Sequence, residues 1–143
     1  MWRNFMAWLV FAFGAALFAA LTSILAKIGL NGISSNVATA IRTVVILVMS
    51  WGIVFFTGAH HQLNAISSKN WWFLIASGLA TGASWLCYFK ALQMGEVSKV
   101  VAIDKFSLVL TIVLAAAFLS EAMSLKVIAG CLLITSGTLL MII

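Results

Sequence analysis

Residues 5–26 carry neither a charge nor a proline. A helix needs ~20 apolar residues to cross the hydrocarbon core of a bilayer, and this first run supplies them. Four more apolar stretches follow, separated by short polar breaks: "GLNGISSN", "GAHHQLNAISSKN", "QMGEVSK" and "SEAMS". Five spans are therefore expected, over residues 6–28, 36–57, 71–91, 100–119 and 125–143. Only 8% of the chain is charged and 64% is hydrophobic, whereas a soluble domain is about 25% charged. An amphipathic soluble bundle would also need a polar stripe every 3.6 residues, and the first, fourth and fifth segments have none. The expected fold class is an all-α integral membrane protein, a bundle of five transmembrane helices in one domain. The N-terminal run is longer than the ~7–15 residue apolar core of a signal peptide, so it reads as a retained first span.

Orientation is less decided by charge. With the N-terminus in the cytoplasm, Arg3, Lys69 and Lys126 fall inside, and Lys27 and Lys99 fall outside with Lys90 close to the outer end of its span. The positive-inside rule counts basic residues near span ends, and here the two sides nearly tie. Two topologies remain open: one weakly determined orientation, or copies inserted both ways.

Charges gather at one face. The end of span one, the start of two, the end of three and the start of four share a side of the membrane. Lys27, Arg42, Lys90, Lys99, Asp104 and Lys105 belong to that half. Arg42, Asp104 and Lys105 lie a turn or more inside their spans and Lys90 just inside the end of its own, where a charge is expensive unless it is paired or snorkels. Asp104 is the one acid inside a span. Neighbours on a helix diverge by about 100° and do not face each other, so Asp104 is expected to reach across to Arg42 or Lys90 rather than to Lys105. It is either a lock between helices or a residue of a transport cavity, and a gate would be both.

Span three offers further polar groups. Ser77, Thr81 and Ser84 recur at helical spacing, and Trp85 and Tyr88 continue towards Lys90. Such a face suits a small organic molecule, although membrane Ser and Thr also bond backbone carbonyls. Gly78 and Gly82 form a GxxxG pair that permits close helix approach. Gly130 and Gly137 lie seven apart on one stripe of span five, a candidate surface for packing against a second copy.

Several chemistries lack machinery. His60 and His61 stand in the longest loop without converging ligands, so they read as solvated residues and no metal is expected. Cys87 and Cys131 read as small core residues. No serine–histidine–acid set, phosphate-cradling glycine loop or paired carboxylates appear, so no enzyme activity and no cofactor are expected. The eight basic residues are scattered singly, which does not suit nucleic acid.

The segment "VSKVVAIDKFSLVLTIVLAAAFLSEAMSLKVIAGCLLITSGTLLMI" resembles the end of an EamA-type half of the drug/metabolite transporter superfamily. It has a lysine-bearing start of span four, and an apolar run ending in "FLSE" where the family often has leucine–glycine–glutamate. A serine and a basic residue then open span five, followed by two glycines. "FGAALFAALTSILAKIGL" is similar to the family's first span, with Phe13 and Gly14 where it often carries tryptophan–glycine. "SWLCYFKALQMGEVSKV" is similar to span three and its exit. The resemblance implies a single EamA-type repeat, where relatives usually join two in opposite orientations. An odd span number makes two tandem copies naturally inverted, with a site between them and alternating access, and a single repeat could reach the same arrangement by dimerising antiparallel. It thus implies a secondary transporter of small organic metabolites in the cytoplasmic (inner) membrane, as an antiparallel homodimer. The alternative is a partner-dependent subunit, half of a heteromeric transporter or a component of a lipid-carrier flippase. The related four-span small multidrug resistance family carries a glutamate in its first span. This first span has no acid, and the basic residues of the spans suit an anionic or zwitterionic substrate instead.

Overall fold

The computed structural model describes the backbone of residues 2–143 and the side-chain surroundings of residues 7–143. Arg3, counted in the charge balance, lies outside those described side chains. All regular structure among the described residues is helical: α1 (Trp2–Gly29), α2 (Ser35–Phe56), a 3-10 helix (Ala59–Ala65), α3 (Ser68–Met94), α4 (Val97–Asp104), α5 (Phe106–Phe118) and α6 (Leu125–Ile142). Five segments are long and apolar enough to cross a membrane, the fourth formed by α4 and α5 together. The 22 residues of α2 rise about 33 Å at 1.5 Å per residue, matching a hydrocarbon core of about 30 Å. The 27 residues of α3 rise about 40 Å. That exceeds the core, and Lys69 and Lys90 lie towards the two ends of the helix.

Local chemistry sets where the helices begin and stop. Ser34 caps α2, its hydroxyl accepting from the Asn36 N–H, and Ser124 caps α6 by accepting from Val127 N–H, both at 3.3 Å. Ser67 does the same for α3 through Asn70 N–H at 3.2 Å, which starts that helix a turn before the Trp71–Trp72 pair. Such caps satisfy donors that the first turn leaves without partners. Gly58 ends α2 at φ 72°, a left-handed geometry that costs glycine nothing. Ser120 takes the same region, φ 54°, just beyond α5. That is the position where the resembling family often has glycine.

Span four departs from a continuous helix. It stops at Asp104 and resumes at Phe106, with Lys105 at the junction. Neither proline nor glycine is there. Instead the Lys105 N–H is shared between the carbonyls of Val101 and Ala102, 3.2 Å from each, and Leu108 N–H closes a tight turn on Lys105 O at 3.0 Å. Thr138 of α6 inserts its hydroxyl on Ala102 O at 3.3 Å. A side chain entering the ladder is a recognised cause of a break, and a neighbouring hydroxyl makes it tolerable in a membrane.

The chain divides into two compact units. One joins α1 up to Ile24 with Met94–Ile143, and the other is Leu25–Gln93. In the first, α6 lies along both α4 and α5. In the second, the core is small and sits at one end, where Ala26, Leu30, Ala38, Phe89 and Leu92 are buried. The side chains of α3 from Trp71 to Thr81 are exposed throughout. The loop histidines are not both plainly solvated. His60 stacks between Phe55 and His61, with ring centroids 5.6 and 4.0 Å away, and its buried Nδ1 has no hydrogen-bond partner. Cys87 is exposed rather than a core residue, while Cys131 is half-buried.

Candidate functional site

Within Leu25–Gln93, three chain segments meet at one end: the last turn of α1, the start of α2 and the last turns of α3. Phe89 (1% exposed) and Leu92 (0%) are the fully buried side chains there. Polar groups fasten the segments around them. Lys27 Nζ donates to Leu92 O at 2.6 Å. The last turn of α3 has no basic residue of its own, so Lys27 supplies the cation that a helix C-terminus favours. Gln93 Nε2 donates to Ile33 O at 2.9 Å and pins the connecting loop. The guanidinium of Arg42 lies over the Phe89 ring, 4.3 Å from its centroid. Such a contact gives a charge in an apolar span an attractive partner without an acid. Tyr88 sets its ring edge-on to Phe89 at 5.5 Å.

Two hollows open at this end. One of about 570 Å³ is lined by Lys27, Asn31, Gly32 and Gln93, among others. The second, about 480 Å³, is lined by Ser34, Ser35, Asn36, Cys87, Lys90 and Gln93. Lys90 thus borders a recess at the start of α2 whose wall also includes Leu86. The hydroxyl face of span three is a different matter. Ser77, Thr81 and Ser84 are exposed, and Thr81 gives its proton to Ser77 O at 2.9 Å. Trp85 is half-buried. A Cβ built at Gly78 or Gly82 meets nothing of its own unit within 4 Å, so this pair brings no helix close there.

In the other unit, Asp104 and Lys105 face each other after all. Lys105 Nζ stands 3.9 Å from Asp104 Oδ2, with side chains 57% and 42% exposed. Lys105 keeps helical backbone angles, φ −65° and ψ −15°, so it is the length of its exposed side chain that lets it reach its neighbour. Asp104 also borders a groove of about 360 Å³ between the break and α6, with Ser107, Thr135 and Thr138 contributing hydroxyls to an otherwise apolar wall. Thr135 gives its proton to Cys131 O at 2.8 Å. Gly130 and Gly137 also have nothing of their own unit within 4 Å of a built Cβ, so their stripe on α6 is open within that unit.

Some contributors were not singled out in the sequence. Phe89 is one aromatic among several in an apolar run, and only its place between Tyr88 and Lys90 hinted at it. Thr138 and Ser35 are hydroxyls without a distinguishing motif. Gln93 was visible only as the first polar residue after span three.

The model of the EamA-like transporter family matches residues 6–143. A protein of Sinorhizobium sp., described as an uncharacterized transporter in the cobO 3' region, is 44% identical over 134 residues. The match covers 94% of this chain and 95% of that relative. No solved structure matches.

Proposed function

The chain belongs to the EamA-like transporter family, and from that premise we propose that it carries small organic metabolites across the cytoplasmic membrane by alternating access, as an antiparallel homodimer of single five-span repeats. The whole of 6–143 acts as one repeat in this reading. Its similarity to a relative of almost equal length supports a working unit of this half size. Five spans put the two ends of a repeat on opposite sides, so a second copy must invert to build the pseudo-symmetric site that inverted repeats make.

The observation that carries the reading is the broken fourth span. Discontinuous helices beside a groove are where transporters hold substrates and ions, because broken backbone at membrane depth is tolerated only against protein or a cavity. Here the break at Lys105 has a charged pair, a groove and three hydroxyls beside it. The surplus of basic residues favours an anionic or zwitterionic cargo, with Lys90 and Lys105 as its contacts and Arg42, Ser77, Thr81, Ser84, Trp85, Tyr88 and Asp104 around its path. Gly130 and Gly137 are the proposed packing stripe between copies.

Reconstituted liposomes loaded with amino acids or organic acids provide the test. Counterflow of at least one such compound is expected, with Lys90→Met and Lys105→Met abolishing it in folded, dimeric protein. Full flux in both variants overturns the assignment of these lysines, and no counterflow of any loaded compound overturns the transport reading.

A further inference from the structure

The buried side-chain polar atom without a hydrogen-bond partner among the described residues is His60 Nδ1. Its ring belongs to a ladder that joins the 3-10 helix (Ala59–Ala65) to the end of α2. Trp51 meets Phe55 with ring centroids 5.8 Å apart, Phe55 meets His60 at 5.6 Å, and His60 meets His61 at 4.0 Å. Among the described residues, no side-chain hydrogen bond or ion pair ties Ala59–Ala65 to a helix. The buried residues of this unit lie at its other end, around Phe89 and Leu92. The ring ladder is therefore the specific fastening between this loop and α2.

Histidine changes charge near neutral pH. A neutral imidazole can carry its one proton on Nε2 and leave Nδ1 bare, whereas the imidazolium carries an N–H on both nitrogens. With His60 in the ladder, the second N–H would sit on the enclosed Nδ1 without an acceptor. A buried donor left unpaired is costly, and more so when it is charged. No carboxylate offsets that cost, because the unit Leu25–Gln93 contains no acid and no acid pairs with His60 among the described residues. The neighbouring groups do not offset it either. The loop sets His61 against the ring, and two charged imidazoles repel. From α2 come Phe55 and Trp51, neither of them titratable, and the charged residue of that helix, Arg42, lies about 20 Å further along it. Lys69, in the first turn of α3, is another cation. The Phe55 ring attracts an imidazolium, but it is an exposed ring and such contacts are weak.

We infer that Ala59–Ala65 is a pH-operated latch, docked on α2 while His60 is neutral and released when His60 takes a second proton from the water on its side of the membrane. Once released, both N–H groups are met by water. Docking is thus favoured as pH rises and lost as pH falls. Gly58, at φ 72°, provides a pivot of the kind glycine adopts freely. Release leaves α2 and α3 joined at the far end, where Arg42 lies over Phe89, and frees their connection at the loop end. The latch stands on the loop alone and does not depend on what the chain transports.

A nitroxide on Asn64→Cys reads the loop, in the full chain carrying Cys87→Ala and Cys131→Ala in phosphatidylcholine nanodiscs. Its electron paramagnetic resonance spectrum is recorded from about pH 8 to about pH 5, across the ordinary histidine range. A mobile component is expected to grow at the expense of an immobile one, their ratio rising by up to about tenfold per pH unit, as one proton allows. His60→Phe keeps a ring in the ladder without a titratable nitrogen, and its label is expected to stay immobile throughout. His60→Gln loses both ring and charge, and its label is expected to be mobile throughout. Recovery of the immobile spectrum on return to the starting pH distinguishes release from unfolding. A spectrum unmoved by pH with His60 in place, a change that does not reverse, or a pH dependence that survives in either variant overturns the latch. An immobile label in His60→Gln does so too, since the ladder then does not hold the loop.

Discussion

Thr138 of α6 donates its hydroxyl to the carbonyl of Ala102, 3.3 Å away, at the point where span four stops being a helix. In a continuous helix that carbonyl would receive the N–H of Phe106. Here it receives Lys105 N–H and the threonine instead. The bond is buried, with Thr138 8% and Ala102 6% exposed. The break is therefore held by a neighbouring helix.

That arrangement makes a first prediction. Thr138→Val keeps the shape and removes the donor. Interhelical hydrogen bonds in membranes contribute about 0.6 kcal/mol on average and up to about 1.7. A loss of this order is expected in the unfolding free energy measured in mixed micelles, and Thr138→Ser is expected to restore most of it. Equal loss in both variants would mean that threonine contributes packing alone.

Ser120 supplies a second. At φ 54° a side chain occupies backbone space that disfavours a Cβ by about 1–2 kcal/mol, and glycine gives some of that back as unfolded-state freedom. Ser120→Gly is expected to stabilise the protein by about 0.5–1 kcal/mol, read as a higher thermal midpoint. A lower midpoint would show that the turn after α5 does not hold this conformation.

Arg42 and Phe89 make the third. A double-mutant cycle with Arg42→Met and Phe89→Leu is expected to return a coupling of roughly 0.5–2 kcal/mol. Additive losses would mean that the guanidinium rests on the ring without favouring it.

The five spans were legible because each is an apolar run bounded by polar breaks, and that contrast is strong in so weakly charged a chain. The gathering of Lys27, Arg42 and Lys90 at one end of their unit followed from counting span ends. The break at Lys105 was not legible. It arises without proline or glycine, from a threonine 33 residues away in sequence intruding on the ladder, and long-range contacts leave no local mark. For the same reason Arg42 was matched in the sequence to an acid, whereas the group under it is a phenylalanine. An aromatic ring in an apolar run offers no contrast to read, although it is a good partner for a guanidinium. Cys87 misled in the opposite direction, since an apolar neighbourhood in a membrane chain signals lipid or groove as readily as core.

The antiparallel homodimer is tested most directly by where one loop residue lies. Asn64 is exposed in the 3-10 helix between α2 and α3. Asn64→Cys, in protein carrying Cys87→Ala and Cys131→Ala, is labelled in intact cells with a membrane-impermeant maleimide and again after permeabilisation. Comparable fractions labelled from outside and only after permeabilisation are expected, because both orientations must coexist to form the dimer. Labelling wholly from one side would contradict the antiparallel homodimer.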